Sequence, residues 1–217
     1  MPNKASLPNG PGRPKDLAKR QAILDAAKIL FMRHGYDGSS MDAIATEAGV
    51  SKLTVYNHFT DKETLFAAAV KAKCEEQLPG LFFELAEGAP IELVLSNIAR
   101  GFQALINSRE SVELHRVMVS AGDPKLSQGF YEAGPQRVLT EMERLLQRAD
   151  QAGKLRIDNP ESAADQFFCL VKGGCNFRLL IGCPEPQSSE EAEQHVQDVV
   201  AMFIRAYAPG PEPASRG

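Results

Sequence analysis

The sequence predicts an all-α protein, with a small N-terminal unit of three helices followed by a larger helical bundle. Three observations support this fold class. Apolar residues recur at helical spacing through most of the 217 residues, hydroxyl and acidic caps precede many of these segments, and no segment has the alternating pattern of a strand. A hydrophobic content of 43% with 24% charged residues is typical of a globular protein with a substantial core.

Three helices are predicted in the N-terminal unit, and the second and third of them are short. The first covers 17–34 and is stopped by Gly35, and the second covers about 40–48 and ends at Gly49. The third is the polar stretch SKLTVYNHF at 51–59, which begins with a serine that can cap it. Two short helices joined by Gly-Val-Ser form a helix-turn-helix pattern.

The helices that follow are longer than the second and third helices. Thr60 and Glu63 have the spacing of a capping box, which predicts a helix from 61 to 77. The later helices are predicted over 90–108, 111–121, 125–151 with a break at Gly134-Pro135, 160–181 and 189–207. The predicted organisation is an arm at 1–14, a helix-turn-helix domain at 15–62, a ligand-binding and dimerisation domain at 63–207, and a disordered tail at 208–217.

Composition excludes several classes of protein. The net charge is −4, so the chain is not expected to coat nucleic acid along its whole length. Residues 1–70 nevertheless carry nine Lys/Arg against seven Asp/Glu, which indicates an N-terminal unit that faces DNA or a membrane surface. No apolar run is long enough to span a membrane and no signal segment is present, so a cytoplasmic location is predicted.

No catalytic or metal-binding motif stands out. The four cysteines lack paired zinc spacing, the four histidines are scattered, and HExxH, Gly-x-Ser-x-Gly and a phosphate loop are missing from the sequence. We therefore predict no metal, no cofactor and no enzyme activity, with a helical enzyme as the alternative.

The polar composition of the third helix is explained if this helix reads DNA. Its apolar side chains would pack inward, leaving Leu53, Thr54 and Asn57 outward between flanking residues. Hydrogen-bonding groups beside a single apolar contact suit the major groove. The alternative is a solvated helix in an ordinary bundle. The predicted inward contacts join Val50, Val55 and Phe59 to Ile44, Leu30 and Phe31.

The N-terminal stretch AILDAAKILFMRHGYDGSSMDAIATEAGVSKLTVYNHFTDKETLFAAAV, residues 22–70, resembles the TetR family of bacterial repressors. The matching features include the Ala-Gly-Val-Ser turn, the Tyr-x-x-Phe helix end and the acidic-Lys-Glu cap. The C-terminal layout, with GGCNFRLLIG at 173–182, is similar to the AefR-like subgroup. Leu53 stands where many members have Gly, Ala or Pro, so the operator sequence stays open.

Residue roles follow from position and from the resemblance. Ser40, at a helix start, can offer its hydroxyl and N–H to a phosphate. Asn57 can pair with adenine and Leu53 can touch a thymine methyl, with Thr54 as the third base-edge candidate. The resemblance implies further phosphate contacts and a minor-groove arm containing Arg13; surface roles and a disordered basic tail are the alternatives. The implied phosphate contacts are Lys52, Tyr56, His58 and Lys62.

The resemblance also implies that the C-terminal bundle dimerises and binds a small molecule. The helix at 160–181 has more apolar surface than one core needs, and Gly173-Gly174 would allow close approach of a second helix. The alternative is a helix buried within one subunit. The predicted seam residues are Val171, Gly174, Cys175, Val196, Val199, Val200, Phe203 and Tyr207.

Ligand contacts are expected among aromatic and apolar residues of the bundle, with a few polar anchors. His115 could instead pair with Glu110 or Glu113. The predicted contacts are Phe82, Phe83, Phe102, Ile106, His115, Arg116, Met118, Tyr131, Phe168 and Arg178.

The sequence thus predicts a ligand-responsive homodimeric repressor whose partners are an operator in double-stranded DNA, a small-molecule effector and a second copy of the chain. An efflux or detoxification gene is the expected target. A DNA binder without an effector is the alternative.

Overall fold

Ten α-helices and one short 3₁₀ turn are found in the computed structural model, which describes residues 13–86, 88–183 and 187–209. Those ranges contain no strand, so the predicted all-α class is confirmed. The helices are α1 (Arg13–His34), α2 (Met41–Glu47), α3 (Lys52–His58), α4 (Lys62–Gln77), α5 (Ile91–Asn107), α6 (Arg109–Ala121), α7 (Pro124–Ala133), α8 (Pro135–Gln151), α9 (Pro160–Leu180) and α10 (Ser189–Ala206), and the 3₁₀ turn covers Gly80–Phe83.

Helix α1 begins at Arg13, ahead of the predicted start at residue 17. Pro14 lies in the first turn, where the N–H that proline lacks would have no partner within the helix. The end of the predicted arm therefore belongs to α1. The rest of that arm and residues 210–217 of the predicted tail lie outside the described residues.

Helix α4 is capped by Asp61, which corrects the predicted capping box. The Asp61 carboxylate accepts a hydrogen bond from the N–H of Thr64 at 2.7 Å, and this bond lowers the pKa of the carboxyl group. A carboxylate at the positive end of a helix is a stronger acceptor than the hydroxyl of Thr60. The predicted break farther along is confirmed, because α7 ends at Ala133 and α8 begins at Pro135.

Two apolar cores divide the structure. The N-terminal core joins α1 to α4 and receives Met118 from α6 and Leu126 from α7. The second core is built from α5, α8, α9 and α10 around residues such as Met142 and Phe167. Helix α4 belongs to both, since Phe66 lies in the first core and Cys74 packs against both of them. A single helix thus connects the helix-turn-helix to the bundle.

Candidate functional site

The predicted helix-turn-helix is formed by α2 and α3. Gly49 lies in the turn with φ +65°, a left-handed conformation that glycine adopts without strain. Ser51 then caps α3, its hydroxyl accepting from the N–H of Thr54 at 3.1 Å. The inward side chains pack as predicted: Leu30, Phe31, Ile44, Val55 and Phe59 share one buried cluster, against which Val50 packs.

The outward side of α3 carries the three predicted base contacts. Leu53 is 69% exposed and Asn57 is exposed beside it, with Tyr56 43% exposed on the flank. Thr54 is half-buried, and its hydroxyl lies 2.8 Å from that of Ser51. This surface offers one apolar contact together with hydrogen-bonding groups, which is the mixture that the edges of base pairs present in the major groove.

Two predicted phosphate contacts lie on the rim of this surface. The ammonium group of Lys52 is 2.7 Å from Asp42 Oδ1, and this hydrogen-bonded pair raises the pKa of the lysine. Both partners are exposed, so solvent screens the pair strongly and a phosphate can replace the carboxylate. Ser40 caps α2, its hydroxyl accepting from the N–H of Ala43 at 3.1 Å.

Two other predicted phosphate contacts are held inside the N-terminal unit. Lys62 donates to the carbonyls of Tyr36 at 2.9 Å and Ser39 at 3.2 Å, and its ammonium group lies 4.0 Å from the centre of the Tyr36 ring. His58 Nε2 is 3.1 Å from Asp16 Oδ1, with only 12% of its side chain exposed. His58 therefore ties α3 to α1, and Lys62 ties the start of α4 to the segment between α1 and α2. The side chain of Arg13 lies outside the described residues.

The bundle contains a cavity of about 230 Å³, lined by parts of α4 to α9. Four of the ten predicted ligand contacts line it: Phe102, Ile106, His115 and Phe168. Its other lining residues are Val70, Lys73, Cys74, Leu105, Ser111, Leu114, Phe130, Pro135, Val138, Leu139, Asp165, Cys169, Lys172 and Asn176. Burial raises the pKa of the Cys74 thiol to about 11, which keeps the thiol uncharged at neutral pH.

His115 has a defined tautomer in this cavity. Its Nδ1 is 2.7 Å from the carbonyl of Ser111, which can only accept, so Nδ1 carries the proton. Burial lowers the pKa of the ring; the bond to Ser111 opposes this, and the positive charge of Lys172 adds to it. The alternative, in which His115 pairs with Glu110 or Glu113, is not what the structure has, and Glu113 pairs with Arg109 at 2.8 Å.

The other six predicted ligand contacts do not line this cavity. Arg116 caps the end of α9, where its guanidinium donates to the carbonyls of Leu179 and Leu180. The remaining five are Phe82 and Phe83 at the bundle core, Met118 in the N-terminal core, and Tyr131 and Arg178 on the surface. Periodicity missed Lys73, Asp165 and Lys172, because charged residues at the edge of an apolar stripe look like ordinary surface.

The predicted dimer seam needs correction. Five of its eight residues fill the core of a single subunit, each less than 5% exposed, so they have no surface to offer a partner. These are Val171, Val196, Val199, Val200 and Phe203. Gly174 is exposed, whereas Cys175 and Tyr207 are half-buried.

A different stripe of α9 is exposed. This stripe consists of Leu170 before Gly173 and of Gly174, Phe177 and Ile181 after it. The three large side chains, Leu170, Phe177 and Ile181, are 37%, 62% and 61% exposed. Met202 of the adjoining α10 is 41% exposed. Several large apolar side chains exposed along one segment are typical of a surface that a partner covers.

Helix α9 is broken at Gly173, which has φ +53° and ψ −170°. His195 of α10 fills the break, its Nε2 lying 3.1 Å from the carbonyls of both Leu170 and Val171. A Cβ atom at Gly173 would come within 3.0 Å of that nitrogen. Most of the α9 residues that line the cavity precede the break, and Asn176 lines it after the break, next to Phe177.

Within the described residues, no cluster of side chains could hold a metal ion. A search of the same part of the chain finds no helix with the length and hydropathy needed to cross a membrane.

Comparison with known proteins matches both parts of the chain to one family. Residues 23–69 match bacterial regulatory proteins of the tetR family, and 93–209 match the C-terminal domain of AefR-like transcriptional repressors. The chain is similar to the repressor AcnR of Corynebacterium diphtheriae, with 27% identity over 88% of this chain and 94% of AcnR. It is likewise similar to the regulator YdeS of Bacillus subtilis, with 28% identity over 87% and 89% of the two chains.

Comparison with solved structures gives the same family. A TetR-family regulator from Mesorhizobium loti is 31% identical with a TM-score of 0.76, covering 91% of this chain and 99% of that one. The flavonoid-responsive regulator FrrA is 33% identical with a TM-score of 0.69, covering 89% and 98%. These matches span the DNA-reading unit and the bundle together. The chain is a DNA-binding transcriptional regulator of the TetR family with an AefR-like C-terminal domain.

Proposed function

We propose that the protein is a homodimeric repressor that binds a palindromic operator through α3 and leaves it when a small apolar or amphipathic molecule enters the bundle. The observation that carries this proposal is the continuity of α4. Its N-cap, Asp61, lies next to the helix-turn-helix, and its Val70, Lys73 and Cys74 form one wall of the cavity. A ligand that moves this wall moves the base of the reading unit.

A second helix offers the same connection. His115 of α6 lines the cavity, and Met118, one turn later, packs in the N-terminal core. Val117 of α6 also lies close to Gly35, where a Cβ atom would be 3.5 Å from it. Both α4 and α6 therefore join the cavity to the DNA-reading unit.

The proposed dimer places the exposed stripe of α9 against its counterpart in a second copy. A two-fold axis brings the same patch of both subunits together, so an apolar stripe covers itself. Gly174, in the middle of the stripe, has no Cβ and permits close approach of the partner helix. Two equivalent reading helices then recognise two half-sites, spaced by turns of about 34 Å.

The relatives support repression and a small-molecule signal. AcnR is a repressor, and FrrA is a flavonoid-responsive regulator. We propose an efflux or detoxification gene as the target, and a cytoplasmic location where the operator is accessible. A DNA binder without an effector is the alternative, and the cavity beside α4 argues against it.

The test begins with DNA selected from a random pool by the purified protein. A consensus with a dyad is expected, and a consensus without one would contradict the dimeric arrangement. The affinity of any effector is then measured with and without saturating operator. A coupling of about 1–3 kcal/mol, or roughly 5- to 150-fold, is expected in both directions. Equal affinities would mean that the cavity does not control DNA binding.

A further inference from the structure

Three charged side chains line the cavity in the bundle. Lys73 belongs to α4, whereas Lys172 and Asp165 belong to α9. In the described ranges none of the three forms an ion pair, although nine ion pairs occur elsewhere in those ranges. Two positive charges therefore face one negative charge around an apolar space, and the excess is positive.

The rest of the cavity surface is apolar and partly aromatic. Phe102 and Phe168 contact each other with ring centroids 4.5 Å apart, and Phe130 lies 5.4 Å from the ring of His115. A space of about 230 Å³ is larger than the roughly 150 Å³ that holds a benzene ring. It therefore suits a molecule of one or two rings or a short alkyl chain.

His115 adds one directed polar group. Because its Nδ1 donates to Ser111 and the ring is neutral, Nε2 holds a lone pair. Among the described residues Nε2 has no hydrogen-bond partner, so it is able to accept a hydroxyl or N–H donor of a ligand.

We propose that the effector is an organic acid of this size, whose single anionic oxygen group, a carboxylate or phenolate, binds between Lys73 and Lys172 while its apolar body contacts the phenylalanines. This inference rests on the proposed function and specifies its signal. Lys172 is exposed and Lys73 is half-buried, so the anion lies where the cavity meets solvent and the apolar body points inward. A charge-assisted hydrogen bond in such a place is stronger than one between neutral groups.

The location of the two lysines also links the acid to two different helices. Lys73 is on the helix that leads to the DNA-reading unit, and Lys172 immediately precedes the break at Gly173. An anion bound to both lysines draws α4 and α9 together. A neutral molecule of the same shape fills the space without forming this bridge.

The experiment compares acids with their amides in three matched pairs: benzoate with benzamide, 2-naphthoate with 2-naphthamide, and decanoate with decanamide. Binding to the full chain is measured by calorimetry. At least one acid is expected to bind about tenfold or more tightly than its amide. Combining Lys73→Met with Lys172→Met should remove this preference and leave amide binding unchanged. Lys71→Met, which changes an exposed lysine of α4 paired with Glu75, should keep the preference.

Each outcome decides the proposal. Equal affinities for acid and amide, no binding of any acid at millimolar concentration, or a preference that survives the double substitution would overturn it. The melting temperature of the double variant shows whether it is folded, and amide binding provides a second check of the cavity. Operator binding is measured on the same samples. Operator binding without acid preference rejects only this inference, whereas acid preference without operator binding rejects the proposed function.

Discussion

The outward face of α3 and the exposed stripe of α9 both leave large apolar side chains in water. Leu53 of α3 is 69% exposed and Phe177 of α9 is 62% exposed. Their neighbours differ. Around Leu53 lie an asparagine, a tyrosine and a lysine, whereas the next positions on the stripe with Phe177 are a glycine, a leucine and an isoleucine.

This difference indicates which partner each surface fits. A major-groove edge presents donors, acceptors and single methyl groups, so a surface that reads it needs hydrogen-bonding groups beside one apolar contact. The buried centre of a protein interface is mostly apolar and poor in charge. At these two surfaces, the residues beside the exposed apolar side chain indicate which kind of partner fits.

Breaking the α9 stripe should have the largest effect. We expect Phe177→Asp to convert the dimer to a monomer, because a carboxylate would be buried without a counter-ion at both copies of the site. Operator affinity should fall by about 100-fold or more, since the second half-site is no longer held at high effective concentration. Sedimentation and operator titration measure the two effects.

Two substitutions control this experiment. Leu81→Asp changes a leucine that is 72% exposed outside α9 and α10, and should leave both measurements unchanged. Phe203→Asp changes a residue of the subunit core and should unfold the chain. A Phe177→Asp protein that remains dimeric would place the interface elsewhere.

Changing the reading face should have a smaller and more specific effect. We expect Asn57→Ala to relax base preference at one position of each half-site, at a cost of about 1–3 kcal/mol per position for the preferred base. Sequencing DNA selected by the variant measures this change. Thr46→Ala on α2, whose hydroxyl bonds only to its own helix at Asp42, is the matched control. An unchanged consensus would show that Asn57 does not read a base.

The contacts inside the helix-turn-helix could be predicted because they are local. Val55 lies in α3 and Phe59 caps its C-terminus four residues later, and the turn before the helix fixes the direction in which Val55 points. The predicted cap of α4 was wrong by one residue. Thr60 and Asp61 are both good capping residues, and only the backbone conformation decides which of them caps the helix.

The seam and the cavity could not be predicted in the same way. Helix α9 has two apolar faces, and periodicity does not tell which one packs within the subunit. Val171 turned out to be core and Phe177 exposed. Cavity residues such as Lys73 and Lys172 come from helices distant in sequence, and only the packing of α4 against the bundle brings them to one space.

Lys62 and Lys52, at the edge of the reading unit, allow a further comparison, because Lys62 is bonded inside the unit whereas Lys52 is exposed. Lys62 is bonded to two backbone carbonyls, so we expect Lys62→Met to lower the free energy of unfolding by about 1–3 kcal/mol, because both carbonyls lose a charged donor. Denaturant titration measures this loss. Lys71→Met on the same helix should leave stability nearly unchanged. A Lys62→Met protein of normal stability would make a phosphate contact the better role for Lys62.

Lys52 should differ from Lys62, because replacing it should change DNA binding and not stability. Its ion pair with Asp42 is exposed, so Lys52→Ala should leave the folded state unaffected. If Lys52 contacts a phosphate, the substitution removes one contact per subunit and flattens the slope of log K against log salt by about two units in the dimer. Binding to selected and to unrelated DNA should weaken by the same factor, because a phosphate carries no sequence information. Titrations at several salt concentrations measure the slope for both kinds of DNA. An altered base preference with an unchanged slope would instead show that Lys52 contacts a base edge and belongs with Asn57 on the reading face.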